Sequence, residues 1–265
     1  MVKKNIKIGL ALGSGAFRGF AHIGVLQVLR ENNIPISFIS GSSIGSLVAA
    51  YYALYQDITG LENKFLNSKK NFYRIADLGW RNGLVSGVKY EKFIEHLLGN
   101  KTFKDTKIPL QILATELTTG NSHIFSTGKL AMAVRASSSV PIVFEPTRGK
   151  NSRFVDGALS SPVPVQELLD LGANKVIAVN LYHKNEFVEK KFNLTKIALR
   201  STRIVLYNLA QNAVKNASLV INPDTSSQVK LSSLRNYFSK KLADEMIQIG
   251  RDETMKKIKE IKSWL

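Results

Sequence analysis

At 265 residues, 44% of them hydrophobic, the chain is long enough to bury a substantial core, and one α/β domain is the expected organisation. It has no cysteine, which excludes disulfides and thiolate metal sites. No apolar run reaches the roughly 18–20 residues that span a bilayer, and the formal charge of +17 directs attention to anionic partners, phospholipid surfaces or nucleic acid.

The basic N-terminus Met1-Val2-Lys3-Lys4-Asn5 leads into a short apolar run, Ile6–Leu12, which carries Lys7 and stops at a glycine loop. That run reads as a buried strand and not as a secretory leader, so a cytoplasmic protein, with peripheral membrane contact as an extension, is expected. The loop Gly13-Ser14-Gly15 precedes an apolar-periodic helix from about Ala16 to Glu31, which Asn32-Asn33-Ile34-Pro35 breaks. The second strand, Ile36–Ile39, runs into Gly41-Ser42-Ser43-Ile44-Gly45 and a helix-like stretch, Ser46–Tyr51. This is a βαβ unit, the signature of a parallel sheet.

Residues 57–107 are more polar and aromatic, with a helical pattern at Tyr90–Leu98, and are expected as an insertion covering one edge of the sheet. Phe65, Phe72, Tyr73, Trp80 and Tyr90 within it either line a ligand channel or fill a core, the core being the default. Regular strands return at Pro109–Glu116 and Lys175–Tyr182. The last third, from about residue 195, is mainly helical and closes with a charged helix near Leu242–Leu265. No repeat or linker divides the chain, so residues 1–265 form one expected domain.

Gly41-x-Ser43-x-Gly45 between a strand and a helix is the G-x-S-x-G pattern. Its glycines allow a sharp turn that leaves the serine exposed at the tip, and the following helix aims its N-terminus there. An ordinary βα turn is the alternative. A nucleophilic serine also needs oxyanion donors and a base. The amides of Gly13, Ser14 and Gly15 are candidate donors, since neighbouring parallel strands present their loops at one C-terminal edge. The same loop loosely resembles a dinucleotide fingerprint, but the second strand ends without the ribose-binding carboxylate, so no cofactor is expected.

For the base, Asp156 leaves an apolar strand in Phe154-Val155-Asp156-Gly157-Ala158, between the small-residue segments Ala136–Phe144 and Ser160–Val165. A purely structural Asx-turn is its alternative role. Of the four histidines, His22, His96 and His123 read as packing or surface residues. His183, after the last strand, makes a Ser43–Asp156–His183 order formally available. No acidic cluster has calcium-ligand spacing, and no metal is expected.

Taken together, Gly13–Leu26, Gly41–Gly45, Ala136–Phe144 and Asp156-Gly157-Ala158 resemble, in order and spacing, the compact bacterial type of patatin-like phospholipase. Weaker similarity runs through Gly83–Gly87, Ala114–Leu117, Gly172-Ala173 and Val176–Leu181. The resemblance implies a three-layer α/β/α fold, a mostly parallel sheet with helices on both faces. It also implies a serine acyl hydrolase using a Ser43–Asp156 dyad without histidine, with the Gly13–Gly15 loop as oxyanion hole and a lipid or other acyl ester as substrate. Ser14 stands where the family usually carries glycine, and Glu116 where many relatives carry aspartate and where a structural role is expected. A lipid-binding protein that keeps this fold with little turnover is the competing class.

Residues 184–243 hold 11 Lys and Arg against 3 acidic residues. Lys196, Arg200 and Arg203 recur along one side of a helix, with Leu199, Val205, Leu206 and Leu209 expected on its core side. The basic side is either a solvated face or a contact for anionic headgroups. Nucleic acid is not expected, since no zinc-finger or RRM-type motif accompanies the charge.

Overall fold

A computed structural model of the chain describes residues 6–67, 85–187, 193–227 and 240–265. β1 (Ile8–Leu12) is followed by a 3-10 turn (Ala16–Gly19), α1 (Phe20–Glu31), β2 (Phe38–Ser42), α2 (Ile44–Tyr55) and α3 (Ile58–Asn67). Next come α4 (Val88–Leu98), β3 (Leu110–Glu116), β4 (Ser122–Phe125), α5 (Leu130–Ser137), β5 (Thr147–Arg148), β6 (Arg153–Asp156) and α6 (Gln166–Asp170). The last elements are β7 (Lys175–Val179), α7 (Leu194–Ala213), β8 (Leu219–Ile221) and α8 (Lys240–Lys262).

The strands form one sheet in the order β5-β6-β3-β2-β1-β7-β8, with β4 on β3. Its centre, β3-β2-β1-β7-β8, is parallel, and β4 and β6 run antiparallel to β3. β1 is buried on both faces, as its unbroken apolar sequence requires in the middle of a parallel sheet. Ile8, Leu10 and Leu12 point into a cluster with α1, α2 and α8, whereas Ala11 joins a second cluster with Val165, Leu168, Ala210 and Val214. Two cores on opposite faces make the three-layer α/β/α architecture. Each fully buried Leu or Ile contributes on the order of 2 kcal/mol.

On the first face, α1 and α8 cross at glycines. A Cβ on Gly24 would lie 2.0 Å from the Ile247 carbonyl oxygen, and one on Gly250 2.1 Å from that of Ala21. The charged C-terminal helix therefore owes its place to a backbone-close crossing as well as to its apolar stripe, Met246, Ile247, Ile258 and Ile261.

Three details differ from the sequence reading. The helix expected from Ala16 begins as α-helix only at Phe20, because Ala16 sits at φ 49°, outside right-handed helical space. The described ends of the 57–107 region rest on helices and not on a sheet edge: α4 packs on α5 and α2, and α3 on α1 and α2. Val205, expected on the core side of α7, is 56% exposed. Leu206, Tyr207, Ala210, Ala213 and Val214 make that contact instead, which turns Ile197, Ile204 and Val205 outward and leaves Arg200 and Arg203 half-buried. Phe72, Tyr73 and Trp80 lie outside the described residues, as do the side chains of Phe65, Lys196 and Leu199. Tyr90 packs against Phe93 and Phe144, in a core position. Among the described residues, no helix is long and apolar enough to cross a membrane.

Candidate active site

The register of β3 builds the site. On one edge, Leu113 pairs with Ser42 of β2, and the next residue, Ala114, pairs with Asp156 of β6. β4 takes the opposite edge. β6 therefore approaches β3 where β2 has ended, and Asp156 arrives beside the turn that carries Ser43.

That turn is a tight elbow. Ser43 has φ 54° and ψ −125°, a conformation L-residues avoid and nucleophile elbows adopt. Gly45 lets the elbow press on the neighbouring loop, since a Cβ there would lie 2.1 Å from the Leu12 carbonyl oxygen. The Ser43 amide donates to Ser137 Oγ at 2.8 Å, and that hydroxyl in turn donates to the Leu113 carbonyl.

Ser43 Oγ donates to Asp156 Oδ2 at 2.6 Å, with both residues buried. Asp156 Oδ1 accepts from the Ala158 amide at 2.9 Å. The carboxylate thus makes the Asx-type bond and the serine bond at once, one with each oxygen. Burial pushes its pKa up to about 6, against the smaller opposing pull of the hydrogen bonds from Ser43 and Ala158. The Asp156 amide donates to the Ser139 carbonyl, and Ser139 Oγ is held by the buried Arg135.

The Gly13–Gly15 loop lies against the elbow, but its three amides are not equivalent. Gly13 N–H donates to the Val179 carbonyl and Ser14 N–H to the Pro162 carbonyl, at 3.0 and 2.8 Å. Both are consumed by the fold. Among the described residues, Gly15 N–H has no partner, and Ala16 N–H, the first amide of the 3-10 turn, has none either. The expected donors therefore reduce to Gly15, with Ala16 added. Ser14 is not at positive φ, so its Cβ is accommodated without strain; the strained position is Ala16.

His183 does not join this group. Its ring faces Asp224 at 3.4 Å and accepts from the Asn185 amide, while the Asp156 carboxylate is occupied by Ser43 and Ala158. Among the described residues, no hydrogen bond or ion pair joins the His183 ring to Ser43 or Asp156, so the Ser43–Asp156–His183 order of the sequence is not assembled as a triad. His22 is buried with Nε2–H on the Gly13 carbonyl at 2.8 Å. Burial lowers its pKa to about 4, which keeps it neutral. His123 meets Phe125 edge-on and Phe154 at a tilt. Glu116 is a partly buried residue at the end of β3, accepting from Thr119 Oγ1. Among the described residues, no group of three or more His, Asp or Glu converges as a metal site.

Residues 10–169 match the family described as patatin-like phospholipase. The chain belongs to that family. It is 32% identical over 181 residues to an NTE family protein of Mycobacterium tuberculosis, covering 66% of this chain and 49% of that one. It is 29% identical over 193 residues to the lysophospholipase NTE1 of Pyricularia oryzae (71% and 13%) and 32% identical over 183 residues to the neuropathy target esterase of Drosophila melanogaster (66% and 13%). The chain thus corresponds to about half, or far less, of these relatives' lengths. Among solved structures, VipD from Legionella pneumophila shares the fold with a TM-score of 0.55 at 14% identity, over 96% of this chain and 67% of VipD.

The sequence reading named Ser43, Asp156 and the loop but missed Ser137 and Arg135. Ser137 lay within a quoted segment, yet nothing in a run of three serines says which one faces the elbow.

Proposed function

We propose that this patatin-like protein is a serine acyl hydrolase of lipid esters, with Ser43 as nucleophile and Asp156 as its sole base. The observation that carries this reading is the 2.6 Å bond from Ser43 Oγ to a buried carboxylate whose pKa is pushed up to about 6. A base with a pKa near the working pH is well matched to remove the serine proton. As Ser43 Oγ attacks the acyl carbonyl carbon, its proton passes to Asp156 Oδ2. The amides of Gly15 and Ala16 receive the oxyanion. When the tetrahedral intermediate collapses, the bond to the alcohol breaks and Asp156 returns the proton to the departing oxygen, leaving Ser43 acylated. Water then attacks the acyl carbon, gives a proton to Asp156, and the second collapse frees the fatty acid and returns that proton to Ser43.

The names of the relatives favour a phospholipid or lysophospholipid as the ester. Contact with an anionic membrane is the second part of the proposal. Arg200 and Arg203 bring charge to α7, the Lys196 position adds to it, and exposed Ile197, Ile204 and Val205 offer apolar surface on the same helix. Stronger sedimentation with phosphatidylglycerol than with phosphatidylcholine vesicles is expected.

The deciding experiment measures hydrolysis of a medium-chain p-nitrophenyl ester and of lysophosphatidylcholine by the wild type, Ser43→Ala and Asp156→Asn, each shown to be folded. Turnover by the wild type alone is expected. A silent wild type on both substrates, with retained vesicle binding, would turn the reading to a lipid-binding protein.

A further inference from the structure

One of the two amides without a partner among the described residues belongs to the peptide between Ser14 and Gly15, which ends in a glycine. Such a peptide plane rotates at little cost unless its neighbours hold it. The backbone bonds at Gly13 and Ser14 set the path of the loop but lie before this plane. Two side-chain clamps flank it.

On one side, Ser14 Oγ shares a 2.8 Å hydrogen bond with Tyr182 Oη, and both residues are buried. On the other, Arg18 Nε donates to the Gly15 carbonyl at 3.0 Å. Arg18 is itself pinned: Nη1 donates to the Leu181 carbonyl at 2.9 Å and pairs with Glu186, and the guanidinium lies 4.7 Å over the Tyr182 ring. Glu186 Oε1 also accepts the His183 amide. The anchor is rigid as well, since Tyr182 N–H donates to Asn180 Oδ1 and Asn222 Nδ2 donates to the carbonyls of Asn180 and Tyr182. Leu181, Tyr182 and Glu186, which hold Ser14 and Arg18, come from the segment that follows β7, and among the described residues none of them bonds to Ser43 or Asp156.

We propose that Tyr182 and Glu186 are positioning residues that aim the Gly15 amide at the oxyanion, Tyr182 through the Ser14 hydroxyl and Glu186 through Arg18. This inference rests on the hydrolase reading above. It assigns a purpose to the serine at position 14: its hydroxyl makes a bond that glycine lacks, and the tyrosine at 182 is its counterpart. Burial pushes the Tyr182 phenol up to about 12, so it stays a neutral hydrogen-bonding partner throughout the working pH range.

The test compares wild type, Tyr182→Phe, Ser14→Ala and the double variant on the p-nitrophenyl ester, with melting temperatures measured alongside. A misaimed oxyanion donor weakens the transition state more than the ground state. Tyr182→Phe is therefore expected to lower kcat about tenfold with KM changed less than about twofold. Affinity for a trifluoromethyl ketone, which forms a tetrahedral adduct on the serine, should fall by the same factor. Because both variants delete one bond, the double variant should be no slower than the slower single. Glu186→Gln should show the same kcat-selective loss. If Tyr182→Phe does not fold, Ser14→Ala probes the same bond from its smaller side. Wild-type kcat in both variants, a loss appearing in KM, or multiplicative losses in the double variant would overturn the inference while leaving the hydrolase reading intact. A silent wild type would remove both.

Discussion

Two aspartates in this molecule each face a classical catalytic partner, and their surroundings drive them in opposite directions. Asp156 meets Ser43 in the buried notch between β2 and β6, and burial outweighs its two hydrogen bonds, raising its pKa to about 6. Asp224 meets His183 at 3.4 Å in a setting where its side chain is 40% exposed. Burial is the largest single influence and pushes that carboxyl up, but the hydrogen bonds from Ser226 and Asn185 together outweigh it, holding the pKa below its ordinary value. A carboxylate stabilised in its charged form is a poor proton acceptor at neutral pH. Burial leads at both carboxylates; how far hydrogen bonding offsets it is what suits Asp156, and not Asp224, to the proposed role of base.

The comparison breaks most easily at Asp156. Asp156→Asn is expected to cut kcat by at least about a thousandfold, since among the described residues Asp156 alone accepts a hydrogen bond from Ser43 Oγ. Stopped assays on the folded variant measure this, and activity within tenfold of wild type would reassign the base. Ser137→Ala, which frees the Ser43 amide and lets the elbow relax, should cost kcat about tenfold.

The shifted pKa sharpens the contrast in two further ways. The proposed dyad needs Asp156 unprotonated, so kcat/KM should rise with pH through about 6 and level off above it. A limb near 4 would mean the carboxyl is wetter than its burial implies. The same shift makes Asp156 a stability cost. The folded state binds this proton more tightly than the unfolded chain, so stability falls as pH rises from about 4 to about 6 and stays lower beyond. Asp156→Asn removes that cost and should raise stability at pH 8 by about 3 kcal/mol, roughly 6–12 °C in melting temperature. The gain should vanish at pH 4. The smallest effect is expected at the other pair: His183→Ala should leave kcat within about twofold, and a hundredfold loss would restore the histidine triad.

How far the sequence alone leads differs between these regions. The elbow was legible because G-x-S-x-G between a strand and a helix is a local pattern, and Ser43 does adopt its strained backbone there. The parallel sheet was legible because Ile8–Leu12 and Lys175–Val179 are too apolar to face water on either side. The loop donors were legible only as a group. Which of Gly13, Ser14 and Gly15 keeps a free amide depends on carbonyls from Val179 and Pro162, more than 140 residues away in the chain. Val205 shows the same limit on a helix, where half-apolar periodicity leaves two registers open and packing against Val165 and Leu168 selects one.

By itself, the sequence determined the local items: the βαβ start, the elbow at Ser43, the chemistry of the residues offered to the site and the absence of thiols. Tertiary structure alone decided which of them meet. Asp156 reaches Ser43 because β6 takes over the edge of β3 at Ala114, where β2 stops at Leu113. The pKa of that carboxylate, the exclusion of His183 and the bond from Ser14 to Tyr182 all follow from such long-range pairings. Their physical reason is common: desolvation and hydrogen bonding act through space, and local sequence carries only what neighbours along the chain can dictate.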